Sequence, residues 1–362
     1  MLQLVLSFDT EDYVTPEAVD AKKFWAEELS ARGLRGSFQC VAEVIRVLRR
    51  RHREDVIEAL GRHEIGYHTN LHSAPPVPPP ALEGIGLAEG IEWVLQHEAA
   101  GWALVMETFR RVPVSYCPPG NSWTPHVLLA LAAAGVKVWC ASVPAKNLGP
   151  AWYCGLLAIN YDLAFDSFMG EDAAEEERFK RAFEDTLARK AQDGVMVVYT
   201  HPSRLVAAQF WDTPLYKGAH PQPVPPAPLR SPAHIQVLKE RFRRLLDWIR
   251  DRRDVEFADF ATVYADRSAH RRDLQCLLDE NKLKPGEAGK LPLREPGSDC
   301  PYVQVLNEFR YDWPLYPEGF TGDKLRAMAR GLAWSYAEAK RRTFCEEKEK
   351  PLAKAQRAPR TT

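Results

Sequence analysis

Apolar residues in the first part of the chain fall into short, nearly unbroken runs. Between them lie longer stretches in which apolar positions recur every three or four residues. Leu2 to Phe8 is apolar at almost every position, as in a strand buried on both faces of a parallel sheet. Ser37 to Val41, Glu64 to Tyr67, Val114 to Cys117, Val136 to Cys140, Leu156 to Ile159, Val195 to Tyr199 and Val255 to Phe257 read as further strands. Helices are expected between them. Thr15-Pro16-Glu17 reads as a cap with proline at the first helical position, Phe24, Trp25 and Leu29 mark the inner face, and Gly33 is the stop. Val44, Ile45 and Leu48 mark a second helix, and Glu54 to Leu60, ending at Gly61, a third. Leu87 to Arg111 follows with Ile91, Val94, Leu95, Trp102 and Val105 on its apolar side. Thr124-Pro125 opens a helix that Gly135 closes, Glu171 to Gln192 runs from acidic to basic as the helix dipole favours, and Ser231-Pro232 opens a long one through Ile249. Two proline-rich stretches, Ala74 to Pro80 and Ala219 to Pro228, read as stiff loops, the first excluded from helix and central strand because each proline lacks a backbone donor.

Strand and helix alternating in this way predict an α/β domain with a parallel sheet, closed or nearly closed into a barrel, because no glycine-rich phosphate fingerprint follows any strand. The pattern changes after Asp266. The chain divides into a barrel domain (1–268), a small, mostly helical C-terminal appendage (269–345) and a charged tail (346–362) expected to be disordered.

Composition narrows the partners. With 48 Lys plus Arg against 49 Asp plus Glu the net charge is -1, so no global field draws in nucleic acid or an anionic membrane. No apolar run has the length of a membrane span, and the first residues lack the basic start of a secretory signal. Seven cysteines without C-x-x-C spacing argue against a disulfide framework. A reduced, cytoplasmic protein is the expectation.

In a barrel of this kind, side chains at the carboxyl ends of strands line the active site. Three polar clusters fall there: Asp9, Glu11 and Asp12 after the first strand, His68 and His72 after the third, and His201 at the end of a late one. Imidazoles at i and i+4 lie about 5–6 Å apart at Cβ on one side of a tight turn. With a carboxylate they make a facial ligand set for a divalent ion that leaves positions open for water. Plainer readings stand beside this one. The acidic residues suit a solvated turn or a helix cap, the histidines suit backbone carbonyls, and Cys117, with no cation beside it, suits a small buried side chain. His63 and His220 read as structural or exposed. Trp152, Trp211 and Tyr216 read as faces for a sugar ring or as core edges.

Four segments carry a resemblance: Leu6-Ser7-Phe8-Asp9-Thr10-Glu11-Asp12, Arg62-His63-Glu64-Ile65-Gly66-Tyr67-His68-Thr69-Asn70-Leu71-His72, Tyr116-Cys117-Pro118-Pro119-Gly120 and Val198-Tyr199-Thr200-His201. In order, over roughly residues 1 to 265, they resemble successive motifs of the polysaccharide deacetylase superfamily. The resemblance implies a deformed (β/α)7 barrel and metal-dependent removal of acetyl groups from N-acetylated sugars; hydrolases of cyclic amides form other branches. It implies Asp9 as catalytic base, His201 as general acid, and His68 and His72 as metal ligands. The usual pattern has a second aspartate directly after the first, where Thr10 stands here; Glu11 is taken as third ligand, with Asp12 as the alternative. Cys117 stands where the family has an arginine, so a cation orienting the base comes from elsewhere or is missing. Pro119 and Gly120 become oxyanion or substrate residues, through the N–H that follows Pro119. The implied cofactor is a divalent metal, Zn²⁺ first, with Co²⁺ or Ni²⁺ as alternatives. The substrate is a carbohydrate or small amide, such as a nucleotide- or lipid-linked glycan precursor. A ring-opening amidohydrolase, or a barrel that binds glycans or proteins without catalysis, are the other readings.

Overall fold

The computed structural model describes residues 1–85, 87–140, 150–153, 156–191, 194–216 and 223–268. The expected appendage (269–345) and tail (346–362), and His220, lie outside the described residues. The first half of the fold runs β1 (Leu2–Thr10), α1 (Ala18–Ala31), β2 (Ser37–Cys40), α2 (Ala42–Arg50), α3 (Glu54–Gly61), β3 (Glu64–Tyr67), α4 (Pro78–Ala81), α5 (Leu87–Phe109), β4 (Ser115–Tyr116), α6 (Pro125–Ala133) and β5 (Val138–Cys140). The second half adds β6 (Ala151–Tyr153), β7 (Leu156–Ile159), β8 (Leu163–Ala164), α7 (Ala174–Lys190), β9 (Val195–Thr200), α8 (Thr213–Tyr216), α9 (Pro232–Arg250), β10 (Val255–Ala258) and α10 (Phe260–Ser268). No helix among the described residues is long and apolar enough to cross a membrane.

These strands form one α/β sheet in the order β6-β7-β5-β4-β3-β2-β1-β9-β8, with β10 added to β1. Every pairing is parallel except that of β6 with β7. β1 is the organising strand, buried at every residue. Along one edge it pairs β9 from Gln3 to Phe8; along the other it takes β10 at Leu2–Val5 and then β2 at Ser7–Thr10. The sheet is a curled half-barrel, consistent with a deformed (β/α)7 barrel. Among the described residues, the outer strands β6 and β8 do not pair with one another.

Strand alternation decides what faces inward. Phe8 stacks on Phe38 at 4.7 Å and packs against Trp25 of α1 at 5.3 Å, so the even positions of β1 join the helical layer. Ser7 and Asp9 therefore look into the concave side. That interior is polar and tight: Gln39 Nε2 donates to Ser115 Oγ at 2.9 Å, and a Cβ at Gly66 would lie 1.7 Å from Gln39 Oε1. Only glycine fits there. At the amino end of the sheet the Glu64 carboxylate accepts from Ser37 Oγ at 2.7 Å and from the N–H groups of Phe260 and Ala261 at 3.2 and 2.7 Å, closing the start of α10.

Local expectations meet mixed outcomes. Thr124 and Ser231 cap α6 and α9 through their side chains, as their Thr-Pro and Ser-Pro pairs predict. Thr15 does not cap α1, which begins at Ala18; its hydroxyl accepts instead from the N–H of Ala227. The first proline-rich stretch contains one helical turn, Pro78–Ala81, against expectation. Three prolines are accepted because they occupy the first turn, where no intrahelical donor is needed. Leu95, read as inward-facing, is 51% exposed.

Candidate metal centre and active site

All the strand ends of a parallel sheet that point the same way deliver their loops to one edge, and the polar clusters of the sequence meet there. Glu11 follows β1, and His68 and His72 follow β3 in a loop with two left-handed residues, Thr69 at φ 67° and His72 at φ 57°. A β-branched residue at positive φ is strained by about 1–3 kcal/mol. Thr69 is fixed in that state by its hydroxyl, which accepts from the His72 N–H at 3.0 Å. The bend turns both imidazoles to one side, with ring centroids 4.9 Å apart.

The outer nitrogens of both rings are tied back. His68 Nδ1 donates to the carbonyl of Cys117 at 2.5 Å. His72 Nδ1 lies 2.6 Å from Ser73 Oγ, which itself donates to Asp212, so the imidazole is the donor to the serine. Both Nε2 atoms are thereby aimed at Glu11, at 3.7 Å from His68 and 2.8 Å from His72. One ligand atom from each of Glu11, His68 and His72 lies within 4.8 Å of the others. Yet Glu11 Oε1, His68 Nε2 and His72 Nε2 are buried without a hydrogen-bond partner. Buried polar atoms left unpartnered cost about 1–3 kcal/mol each, and one carboxylate with two imidazoles is a donor set that suits a divalent ion.

Glu11 and His72 shift one another in opposite directions. Burial would raise the Glu11 pKa, but His72 and His201 outweigh it and hold the carboxyl well below its usual range. Burial would lower His72, but Glu11 and Asp212 push it up to about 9.

Asp9 Oδ1 accepts from the Tyr161 hydroxyl at 2.7 Å, and its Oδ2 lies 3.7 Å from His201 Nε2. His201 Nδ1 bonds Asp166, whose other oxygen accepts from Thr200 Oγ1 at 2.6 Å. Burial would lower the His201 pKa; Asp166, Glu11 and Asp9 together push it up to about 10. Asp9, Glu11, His68, His72 and His201 line a cavity of about 490 Å³, walled by Tyr161, Tyr199, Phe210 and Thr213. Pro118 and Gly120 also line it, while Pro119 does not.

Asp12, the alternative ligand, is turned away. Its Oδ1 accepts from the N–H groups of Val14 and Thr15, both at 2.9 Å, and burial raises its pKa despite the nearby Lys22. Trp211 is buried at 1% exposure and packs against Tyr13 and His72, so it backs the site rather than offering a face to a ligand. His63 is structural, bonding the Ala26 carbonyl at 2.8 Å. Four participants carry no mark in the sequence: Ser73, Tyr161, Asp166 and Asp212. Tyr161 and Asp166 follow strands too short for periodicity to mark, and nothing local raises Asp212.

Fold and site together define a curled (β/α) half-barrel with a Glu/His/His cluster at its carboxyl edge. No protein-family model matches the chain, and no curated sequence does. Solved polysaccharide deacetylases are among the structures it resembles. One, assigned as a polysaccharide deacetylase from Mycobacterium smegmatis, is 14% identical, with a TM-score of 0.46 over 78% of this chain and 93% of that one. The Puue Allantoinase is 12% identical at a TM-score of 0.46, over 74% and 90% of the two chains. A 4-alpha-glucanotransferase from Thermococcus litoralis is 11% identical at 0.48; the alignment takes in 92% of this chain and spans about half, 49%, of that protein. At these identities and scores the likeness bears on neither activity nor substrate.

Proposed function

We propose that this chain is a metal-dependent hydrolase that removes an acetyl group from an N-acetylated sugar or glycan precursor. The observation that carries the reading is the buried cluster of Glu11, His68 and His72, with ligand atoms within 4.8 Å of one another, in the same cavity as Asp9 and His201. Glu11, His68 and His72 would hold a divalent ion, Zn²⁺ first. Such an ion brings the pKa of its water to about 7 and polarises a carbonyl.

The chain's own groups do the rest. Asp9, with Oδ2 turned to the centre, takes the proton of the attacking water. His201, protonated through Asp166, delivers a proton to the leaving nitrogen. Gly120, which lines the cavity with Pro118, is the oxyanion or substrate contact, while Pro119 does not line it. Among the described residues, no lysine or arginine lines the cavity.

A second reading, ring opening of a small cyclic amide, is favoured by depth: Asp9, Glu11, His68 and His72 each expose 4% or less. The two separate in one experiment. Protein loaded with Zn²⁺, Co²⁺ or Ni²⁺ is assayed for acetate release from N-acetylglucosamine oligomers and a nucleotide sugar, and for ring opening of cyclic amides, against chelated protein. Metal-dependent acetate release from the neutral oligomers is expected. Turnover of none of them above the His201→Ala background refutes a hydrolase of this kind.

A further inference from the structure

A catalytic base at this position needs something to fix its carboxylate, and the cation that would do so by resemblance is absent: Cys117, fully buried, stands in its place. The group that touches Asp9 instead comes from a different strand. Tyr161, two residues past β7 and 5% exposed, donates its hydroxyl to Asp9 Oδ1 at 2.7 Å. We propose that Tyr161 is the positioning residue for Asp9, a neutral phenol doing the orienting that an arginine would do. The proposal rests on Asp9 being the base.

Three observations carry it. Asp9 is 4% exposed, and the phenol is the hydrogen-bond donor to its Oδ1, so its rotation is set by that bond while Oδ2 is left toward His201. Hydroxyl-to-carboxylate bonds are among the strong ones, roughly twice a neutral pair. Next, the phenol is itself held: its ring stacks on Tyr199 of β9 at 4.1 Å and 16°, and Tyr199 meets the His201 ring edge-on at 6.0 Å. One aromatic pair therefore fixes the spacing between base and acid. Third, burial and Asp9 hold the phenol far above its usual pKa, so it stays a donor throughout the working range. An uncharged donor also leaves the charge of Asp9 uncancelled, which a guanidinium would not.

The test is Tyr161→Phe, which keeps the stacked ring and deletes the bond, beside Asp9→Asn, with 4-nitrophenyl acetate as a probe needing no sugar recognition. In Tyr161→Phe, kcat should fall by about 10–100-fold, with KM within about twofold and Zn²⁺ stoichiometry unchanged. A crystal structure of the variant should show the Asp9 carboxylate rotated from its wild-type orientation. Asp9 unmoved in that structure overturns the proposal whatever the rates; so does full kcat in Tyr161→Phe while Asp9→Asn is inactive, which leaves the proposed function standing. Full activity in Asp9→Asn, by contrast, removes Asp9 as base and takes down the functional reading itself.

Discussion

Two buried carboxylates sit at opposite ends of the same parallel sheet and are treated in opposite ways. Glu64, 2% exposed at the amino end, is met by three donors, Ser37 Oγ and the first N–H groups of α10. Glu11, 3% exposed at the carboxyl end, is met by two imidazoles and has an oxygen with no partner at all. Burial, with Asp259 adding, raises the Glu64 pKa to about 7, whereas the histidines carry Glu11 well below its normal value. One end of the barrel is complete as folded. At the other end one oxygen of Glu11 has no hydrogen-bond partner, so the partners met, rather than burial, distinguish the two carboxylates.

Removing a ligand breaks the comparison most sharply. Glu11→Ala or His68→Ala should abolish stoichiometric metal binding and cut turnover by roughly 10³-fold or more, read by metal analysis and acetate release. Glu64→Ala should leave metal content at wild type and cost about 1–3 kcal/mol for each stranded donor, read by urea denaturation. His201→Ala should lower kcat by about 10²–10⁴ with metal retained; a change under twofold would remove it from the chemistry.

The pH response of stability should differ in sign between the ends. The folded pKa of Glu64, about 7, lies above the ordinary 4.5, so its contribution is fully present below 4.5 and is lost as pH climbs through 7. The loss is roughly 3 kcal/mol. In metal-free protein Glu11 runs the other way: its folded pKa lies below 4.5, so its contribution is held above that pH and is lost as pH falls. Denaturation of chelated protein at pH 5 and 7.5 should show a flatter profile for Glu64→Gln than for wild type. The smallest effect is expected behind His72: Asp212→Asn, which weakens the Ser73 relay, should loosen metal binding by about 10–100-fold without abolishing it.

Asp9, Glu11, His68, His72 and His201 were legible because each ends or follows an apolar run long enough to read as a strand, and in a parallel sheet such ends share one edge. Tyr161 and Asp166 were hidden for the converse reason. They follow β7 and β8, four and two residues long, where periodicity has too few positions to register. Asp212 is 139 residues from the serine it binds, a contact no local pattern encodes. The left-handed bend at Thr69 and His72 goes against local preference, and only the finished loop sustains it.

The central claim is that Glu11, His68 and His72 hold a divalent ion at the carboxyl end of this sheet. The direct measurement is Zn²⁺ bound per chain after chelation, reloading and removal of free metal, for wild type, Glu11→Ala and Glu64→Ala side by side. About one ion per chain in wild type and Glu64→Ala, and none in Glu11→Ala, is the predicted result. No bound ion in wild type, or equal loading in Glu11→Ala, would contradict it.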